Sequence, residues 1–332
     1  METLKIGSVT VYPYGLVMAL SAALALGLTA WQGKKHGVTP KTMSWFALLS
    51  IPLAVLGGRL AYCLVALDWV LDQGLDFFWQ FTRGGYMFYG ALLGGIAAAA
   101  LACKITKAPL APLLDSAVAP AALMLAIGRL AEPLVGLGYG HDIEEWFDPF
   151  EEKAMIAWEN PEILFRFPLG EQNYYGVWCF AIYLPEALTA LAICIALFSM
   201  KPRRAGGKAA LGLLLYGASQ PLWESMRQDE VLKWGFVRAS QLFSAFAVLA
   251  VILICWFALR KEERKPAALI KAILILLLSC GVIMAMEFAL EQKISFLTWM
   301  RMDVCYVVMA LGCVGLALSA LPLWRKAFPV KG

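Results

Sequence analysis

Arg129 lies near one end of an otherwise apolar stretch, residues 115–140, and is followed by Glu132, Pro133 and a glycine run at Gly136, Gly138 and Gly140. A charge held inside a bilayer costs roughly 2.5–3.5 kcal/mol on insertion scales, so such a group usually faces a polar cavity or a partner. The alternative is a side chain that snorkels to the headgroups. Arg59 is a second arginine within an apolar run, just behind Gly57 and Gly58. Glu224 and Arg227 close a later run, and Arg238, Ser240 and Gln241 open the next at the same level. Arg59, Arg129, Glu132, Arg227 and Arg238 are therefore expected to converge near one membrane face. Glu186, beside Pro185, also falls within an apolar run and needs a partner. Carboxylates in such places also suit proton or substrate transfer, so Glu186, Glu224 and Glu287 keep a transport reading open.

Residues 83–95 hold five glycines: Gly84, Gly85, Gly90, Gly94 and Gly95. Gly90 and Gly94 have the spacing of a close helix contact. A backbone that approaches a ligand is the other reading of the same residues. Tyr12 and Tyr14 flank Pro13 at the start of the first apolar run, where aromatic rings favour the membrane interface.

The elements that must carry these groups are membrane helices. Hydrophobic residues make up 61% of the 332 and charged ones 16%, a composition foreign to a soluble single-core protein. Nine runs approach the roughly 20 residues of a spanning helix. They cover about 12–31, 43–67, 86–103, 110–130, 174–200, 209–223, 237–259, 267–290 and 302–323. Each span must satisfy its own backbone hydrogen bonds. The expected fold is all-α, a polytopic helical membrane protein with about nine transmembrane helices.

Basic and acidic connections alternate along the chain. Lys34, Lys35, Lys41, Lys104, Lys107, the 201–208 cluster, the 260–265 cluster and the final lysines fall on one side. Asp68, Asp72, Asp76 and the acidic segment after Gly140 fall on the other. The positive-inside rule then puts the N-terminus outside and the C-terminus in the cytoplasm. These anchoring residues account for the net charge of +4, and nothing in them points to nucleic acid. No small-residue cleavage site follows the first run, which is expected to stay as a signal anchor. The expected organisation is a seven-span unit over 1–260, with an extracytoplasmic insert at 141–173 carrying short interfacial helices. A two-span hairpin over 261–332, poor in polar groups beyond Glu287 and the Arg301–Asp303 pair, is appended to it. No internal repeat is visible.

Eight cysteines include no C-x-x-C pair, and most sit in apolar runs as small apolar residues. Cys179 and Cys305 could lie near the outer face, where a disulfide is chemically possible. His36 and His141 fall in opposite loops, so no metal site is readable and no cofactor is expected.

Taken in order, the motifs of residues 1–260 resemble the bacterial prolipoprotein diacylglyceryl transferase family. Tyr14 and Gly15 match its first-span tyrosine-glycine, and GGRLAYCL at 57–64 is similar to its GGR-x-x-Y-x-L. RGGYMFYGALLGG resembles DGGMSFHGGLIG. Residues 115–140 resemble the signature D-x-x-AP…GR-x-GNF-x-NGE-x-x-G. KPRRAGGKAALGLLLYGASQPLWESMRQDE and FVRASQLFS are similar to the segments KPR-x-x-G…GYG-x-FR-x-x-x-EFFRQPD and SMGQ-x-LS. The resemblance covers about three quarters of the chain and leaves the last two spans outside.

That family moves a diacylglyceryl group from phosphatidylglycerol to the lipobox cysteine of a lipoprotein precursor. The resemblance therefore implies a bacterial inner-membrane transferase. Its partners would be phosphatidylglycerol or another anionic phospholipid and a precursor peptide. A thiol attacks a glycerol carbon and glycerol phosphate leaves, so the site needs a base and cations for the phosphate. Guanidinium groups supply bidentate contacts and a permanent charge. Arg129 occupies the signature arginine, Tyr14 the first-span tyrosine, Glu224 the sixth-span glutamate, Gly140 the closing glycine, Gln241 the seventh-span glutamine and Glu186 the end of the HPSQLYE motif. Tyr89 replaces the family histidine, Glu132 an asparagine, Leu137 a glutamate and Gln220 the second arginine. Arg227 or Arg238 is placed to supply the missing cation, and Glu132 could act as base or pair with Arg129 or Arg59. The implied catalytic set is Arg129, Glu224, Tyr14, Tyr89 and Glu132. The implied lipid-binding set is Arg59, Gly85, Gly90, Gly140, Arg227, Arg238 and Gln241. The same departures leave room for a non-catalytic scaffold that binds lipid or a partner, and the membrane carboxylates for a flippase.

Overall fold

The structure, a computed structural model, describes residues 4–6, 9–81, 84–143, 169–173, 175–228, 232–234, 237–293, 297 and 299–330. Among them, long helices stand at all nine expected positions. They are α1 Pro13–Lys35, α2 Pro40–Val65, α4 Phe88–Thr106, α5 Leu110–Ala131, α6 Tyr183–Ser199, α7 Gly207–Met226, α8 Ala239–Ala258, α9 Pro266–Leu290 and α10 Met302–Ala327. A short α3, Leu67–Gln73, follows α2. Seven helices are long and apolar enough to cross a membrane, and the apolar α6 is shorter at 17 residues. The chain is thus an all-α, multi-pass membrane protein.

Local chemistry sets the helix ends. The Thr39 hydroxyl accepts from the Thr42 amide at 3.3 Å, and Pro40 sits in the first turn of α2, where a missing N–H leaves no bond unmade. Lys34 and Lys35 end α1 at its negative pole. The fifth run starts later than the apolar pattern suggests. Trp178–Ala181 is strand β5, and α6 opens only at Tyr183. Pro185 and Glu186 consequently sit in a first turn instead of at mid-membrane. A proline is tolerated there without a kink, and a carboxylate meets the positive end of the helix.

A small antiparallel sheet covers the end of the bundle where α5 stops and α6 starts. Its order is β3 (Tyr139–Asp142), β5, β4 (Gly170–Gln172). A two-stranded ribbon, β6 (Lys233–Trp234) and β7 (Val237–Arg238), joins α7 to α8. The interfacial helices expected within 141–173, and the acidic residues from Glu144 to Glu152, lie outside the described residues. So do Arg83, Asp229 and Glu230.

Gly57, Gly90 and Gly94 let α2 and α4 touch backbone to backbone. A Cβ on Gly90 would strike the Gly57 carbonyl oxygen, and one on Gly94 would fall 2.9 Å from the Ala54 Cα. Of the two readings of Gly90, the helix contact is the one that its position matches. The final helix pair packs directly on α7 and α8 and shares one apolar core with them, through Met309, Leu316, Leu323 and Trp324. At the basic end the Trp324 indole donates to the Gly207 carbonyl at 2.8 Å, and the Arg203 amide to the Pro329 carbonyl at 2.9 Å. None of the eight cysteines forms a disulfide among the described residues, Cys179 and Cys305 included.

Candidate active site

Four charged side chains meet at the end of the bundle opposite the basic connections. Arg129 ends α5, and Glu132 opens a 3-10 turn, Glu132–Val135. Glu186 comes from the first turn of α6, and Arg227 follows the last residue of α7. Arg129 Nη1 pairs with Glu132 Oε1, and Arg129 Nη2 lies 2.8 Å from Glu186 Oε1. Arg227 Nη1 lies 2.9 Å from Glu132 Oε2 and 2.9 Å from Glu186 Oε2. Two cations and two anions thus alternate around a closed square with no net charge. That arrangement answers the desolvation cost of burying each group, several kcal/mol when unpaired. Glu186, Glu132 and Arg227 are buried, whereas the Arg129 side chain keeps 15% exposure and is the cation a ligand would meet first. Its Nε is buried and holds no acceptor. Tyr14 stands within electrostatic reach of Glu132, Arg129 and Arg227, and Tyr216 faces Arg129 from α7.

The glycine run aligns the square. Gly136 and Gly138 have φ of +73° and +88°, values that favour glycine. A Cβ on Gly138 would fall 2.9 Å from Glu132 Oε2, so the chain passes directly over the carboxylate. Gly140 then bridges Arg227, and the Gln228 amide donates to the Tyr139 carbonyl at 3.0 Å. A Cβ on Gly140 would fall 2.9 Å from the Met226 carbonyl oxygen. Gly140 therefore serves by letting β3 press on the end of α7, which brings Arg227 to Glu132.

Beside the square, Glu224 is half-buried, and among the described residues its carboxylate has no hydrogen bond or ion pair. It lies near enough to Tyr89 to act on it electrostatically. The Tyr89 hydroxyl is buried 2.7 Å from the Ser244 hydroxyl, and its ring stacks on Phe243. Arg238 pairs through Nε with Glu287 of α9 and donates from Nη1 to the Glu224 carbonyl at 2.6 Å. Gln241 donates to Glu287 Oε2 at 3.2 Å and to the Pro221 carbonyl at 3.3 Å.

Arg59 does not join this group. It is fully buried and donates to the main-chain carbonyls of Phe77, Phe78, Gln80, Gly84 and Gly85, with its guanidinium 4.1 Å from the Phe77 ring centre. Gly85, at φ +76°, is packed against it, since a Cβ there would fall 2.8 Å from Arg59 Nη1. The expected convergence therefore holds for Arg129, Glu132 and Arg227, extends to Arg238 through a main-chain carbonyl, and fails for Arg59, beside which Gly85 lies. From the sequence Glu186 was expected to need a partner, but not to pair with both arginines. The sequence reading also missed Asp115, whose carboxylate accepts from the Gly206 and Ala209 amides at 2.7 and 2.9 Å. Asp115 thus caps the start of α7 from another helix. The first residue of the signature and the KPRRAGG segment are two halves of one contact, a signal available in their shared motif order.

A polytopic helical bundle with a paired cluster of arginine and glutamate at one end defines the class as a multi-pass membrane protein. The sequence model of the prolipoprotein diacylglyceryl transferase family matches residues 2–257, and the chain belongs to that family. It is 28% identical over 269 residues to a phosphatidylglycerol–prolipoprotein diacylglyceryl transferase of Symbiobacterium thermophilum, covering 80% of this chain and 95% of that one. A protein of the same name from Acinetobacter baumannii is 28% identical over 265 residues, covering 78% and 92% of the two chains. A third, from Clostridium botulinum, is 24% identical over 264 residues, covering 78% and 97%. The family match ends just before α9 and α10.

Proposed function

We propose that this protein transfers a diacylglyceryl group from phosphatidylglycerol to the cysteine thiol of a prolipoprotein, at the outer leaflet of a bacterial inner membrane. The observation that carries the reading is the Arg129–Glu132–Glu186–Arg227 square, formed within the family match. The square lies at the helix ends opposite Lys34, Lys35 and Lys104, which the positive-inside rule assigns to the cytoplasm. The N-terminus is then outside.

The phosphate of the donor meets Arg129 first, and its oxygens take donors now shared with Glu132 and Glu186. Arg227 stands where a second cation can reach the same group, doing the work that Gln220 cannot. The cysteine sulfur attacks the glycerol carbon that bears the phosphate. A C–S bond forms, the C–O bond breaks, and glycerol phosphate leaves with the bonding electrons. Glu224, whose carboxylate has no partner among the described residues, takes the thiol proton, a role in which a phenol with a pKa of about 10 performs poorly. Guanidinium groups fixed in a dry site stabilise charge on the leaving phosphate without reorganising.

The test is to incubate the purified protein with labelled phosphatidylglycerol and a lipobox peptide. Label should appear on the peptide cysteine, and Arg129→Ala should lower the rate by roughly 1000-fold. Absence of transfer by the unaltered protein would overturn the reading, and undiminished headgroup binding in that case would leave a lipid-binding scaffold.

A further inference from the structure

The helix pair that lies outside the family match supplies a buried carboxylate to the site. Glu287 of α9 is 3% exposed, although its helix is otherwise almost wholly apolar. Oε1 pairs with Arg238 Nε, and Oε2 accepts from the Ser225 hydroxyl at 2.6 Å and from Gln241 at 3.2 Å. One turn further on, Glu291 pairs with Lys233. Lys233 and Arg238 are cross-strand partners in the β6–β7 ribbon. Two carboxylates four residues apart, one in the last turn of α9 and one at its C-cap, thus grip both strands of the ribbon that follows α7.

Arg238 passes the grip inward. Its Nη1 donates to the Glu224 carbonyl at 2.6 Å and to the Arg227 carbonyl at 3.4 Å. These carbonyls end α7, where no helical N–H remains to satisfy them. They also belong to the two residues that carry the unpartnered carboxylate and the buried cation of the site. The chain from Glu287 to Arg238 to the end of α7 is continuous, with buried or half-buried groups at each step.

We propose that Glu287 is a positioning residue of the transferase site: it holds Arg238, which fixes the end of α7 and with it Glu224 and Arg227. The proposal rests on the function given above. The last two helices are then a working part of the site, although the family match ends at residue 257, before α9.

The experiment compares full-length variants for kcat, KM for phosphatidylglycerol, unfolding temperature and amide exchange over residues 224–228. Glu287→Gln keeps an acceptor for Ser225 and Gln241 but removes the charge. It should lower kcat by roughly 100-fold, the order expected from a displacement of about 1 Å in a reacting group, with KM within about threefold. Because a lone buried Arg238 could prevent folding, the second variant is Arg238→Met with Glu287→Met. Replacing a buried ion pair with apolar side chains is often neutral for stability, so this double variant should fold yet lose turnover and exchange faster at 224–228. Asp303→Asn, at an exposed ion pair on α10, is the control and should match the unaltered protein. Wild-type turnover in the folded double variant, or exchange at 224–228 unchanged by both variants, overturns the proposal. A protein that exchanges as expected but never transfers lipid overturns the function and keeps the clamp.

Discussion

Two arginines in membrane helices, each preceded by glycine, were met by two different kinds of partner. Arg59 is surrounded by main-chain carbonyls and staples the loop after α3. Arg129 is surrounded by carboxylates in a square that also holds Arg227. Carbonyls of a folded loop cannot leave without unfolding it, so Arg59 is committed. Carboxylates on separate side chains can give up a guanidinium to a phosphate that brings the same charge and geometry. The comparison teaches that an arginine in a membrane helix is a functional signal only when its partners are exchangeable.

The largest expected effect breaks the Arg129 side of this comparison. Arg129→Lys keeps the charge but loses the planar fork, and transfer should fall about 100-fold with little change in unfolding temperature. A lysine that works as well would mean that charge alone suffices. Arg59→Met should act in the reverse manner. It leaves carbonyls of the 77–85 loop without donors and should cost roughly 3 kcal/mol of stability, while the rate per folded molecule stays within about threefold. A rate loss at unchanged stability would return Arg59 to the lipid site.

Tyr89→Phe sharpens the comparison at a smaller scale. It removes the hydroxyl held by Ser244 and should cost about 1 kcal/mol of stability, with transfer reduced less than about fivefold. A loss as deep as that of Arg129→Lys would place Tyr89 in the chemistry. The smallest effect concerns Glu291, outside the membrane helices. Burial pushes its carboxyl up, but hydrogen bonds from Lys233 and Lys293 outweigh that and hold it below the usual carboxylate range. Its contribution is therefore present above the unfolded carboxylate pKa of about 4.3 and lost as pH falls through the lower folded value. Melting curves taken against pH should lose part of their acid-side slope in Glu291→Gln, and equal slopes would remove the pairing from the stability balance.

The helical spans were legible because bilayer thickness imposes a length and backbone satisfaction imposes a helix, whatever the neighbours. The site was legible in part. Arg129, Glu132, Glu186, Glu224 and Arg227 could be named because charge in an apolar run demands a partner, and motif order then gave Glu186, Glu224 and Gln241 places in the family pattern. Gly90 was read as a close helix contact or an approach to a ligand, and Gly140 only as the closing glycine of the signature, so the surface each one meets could not be read. The start of α6 was misplaced because Trp178–Ala181 is as apolar as the helix it precedes.

The amino-acid sequence by itself determined that this is a bundle of membrane helices of the diacylglyceryl transferase family, with buried arginines that require counter-groups. Only the tertiary structure decided which arginine keeps carbonyls and which keeps carboxylates, and that the last helix pair meets Arg238 through Glu287. The physical reason is that hydrophobic periodicity and charge burial are local and additive along the chain. Partner choice depends on distances between residues as far apart as 132 and 227, or 238 and 287, and those are set by how the helices pack.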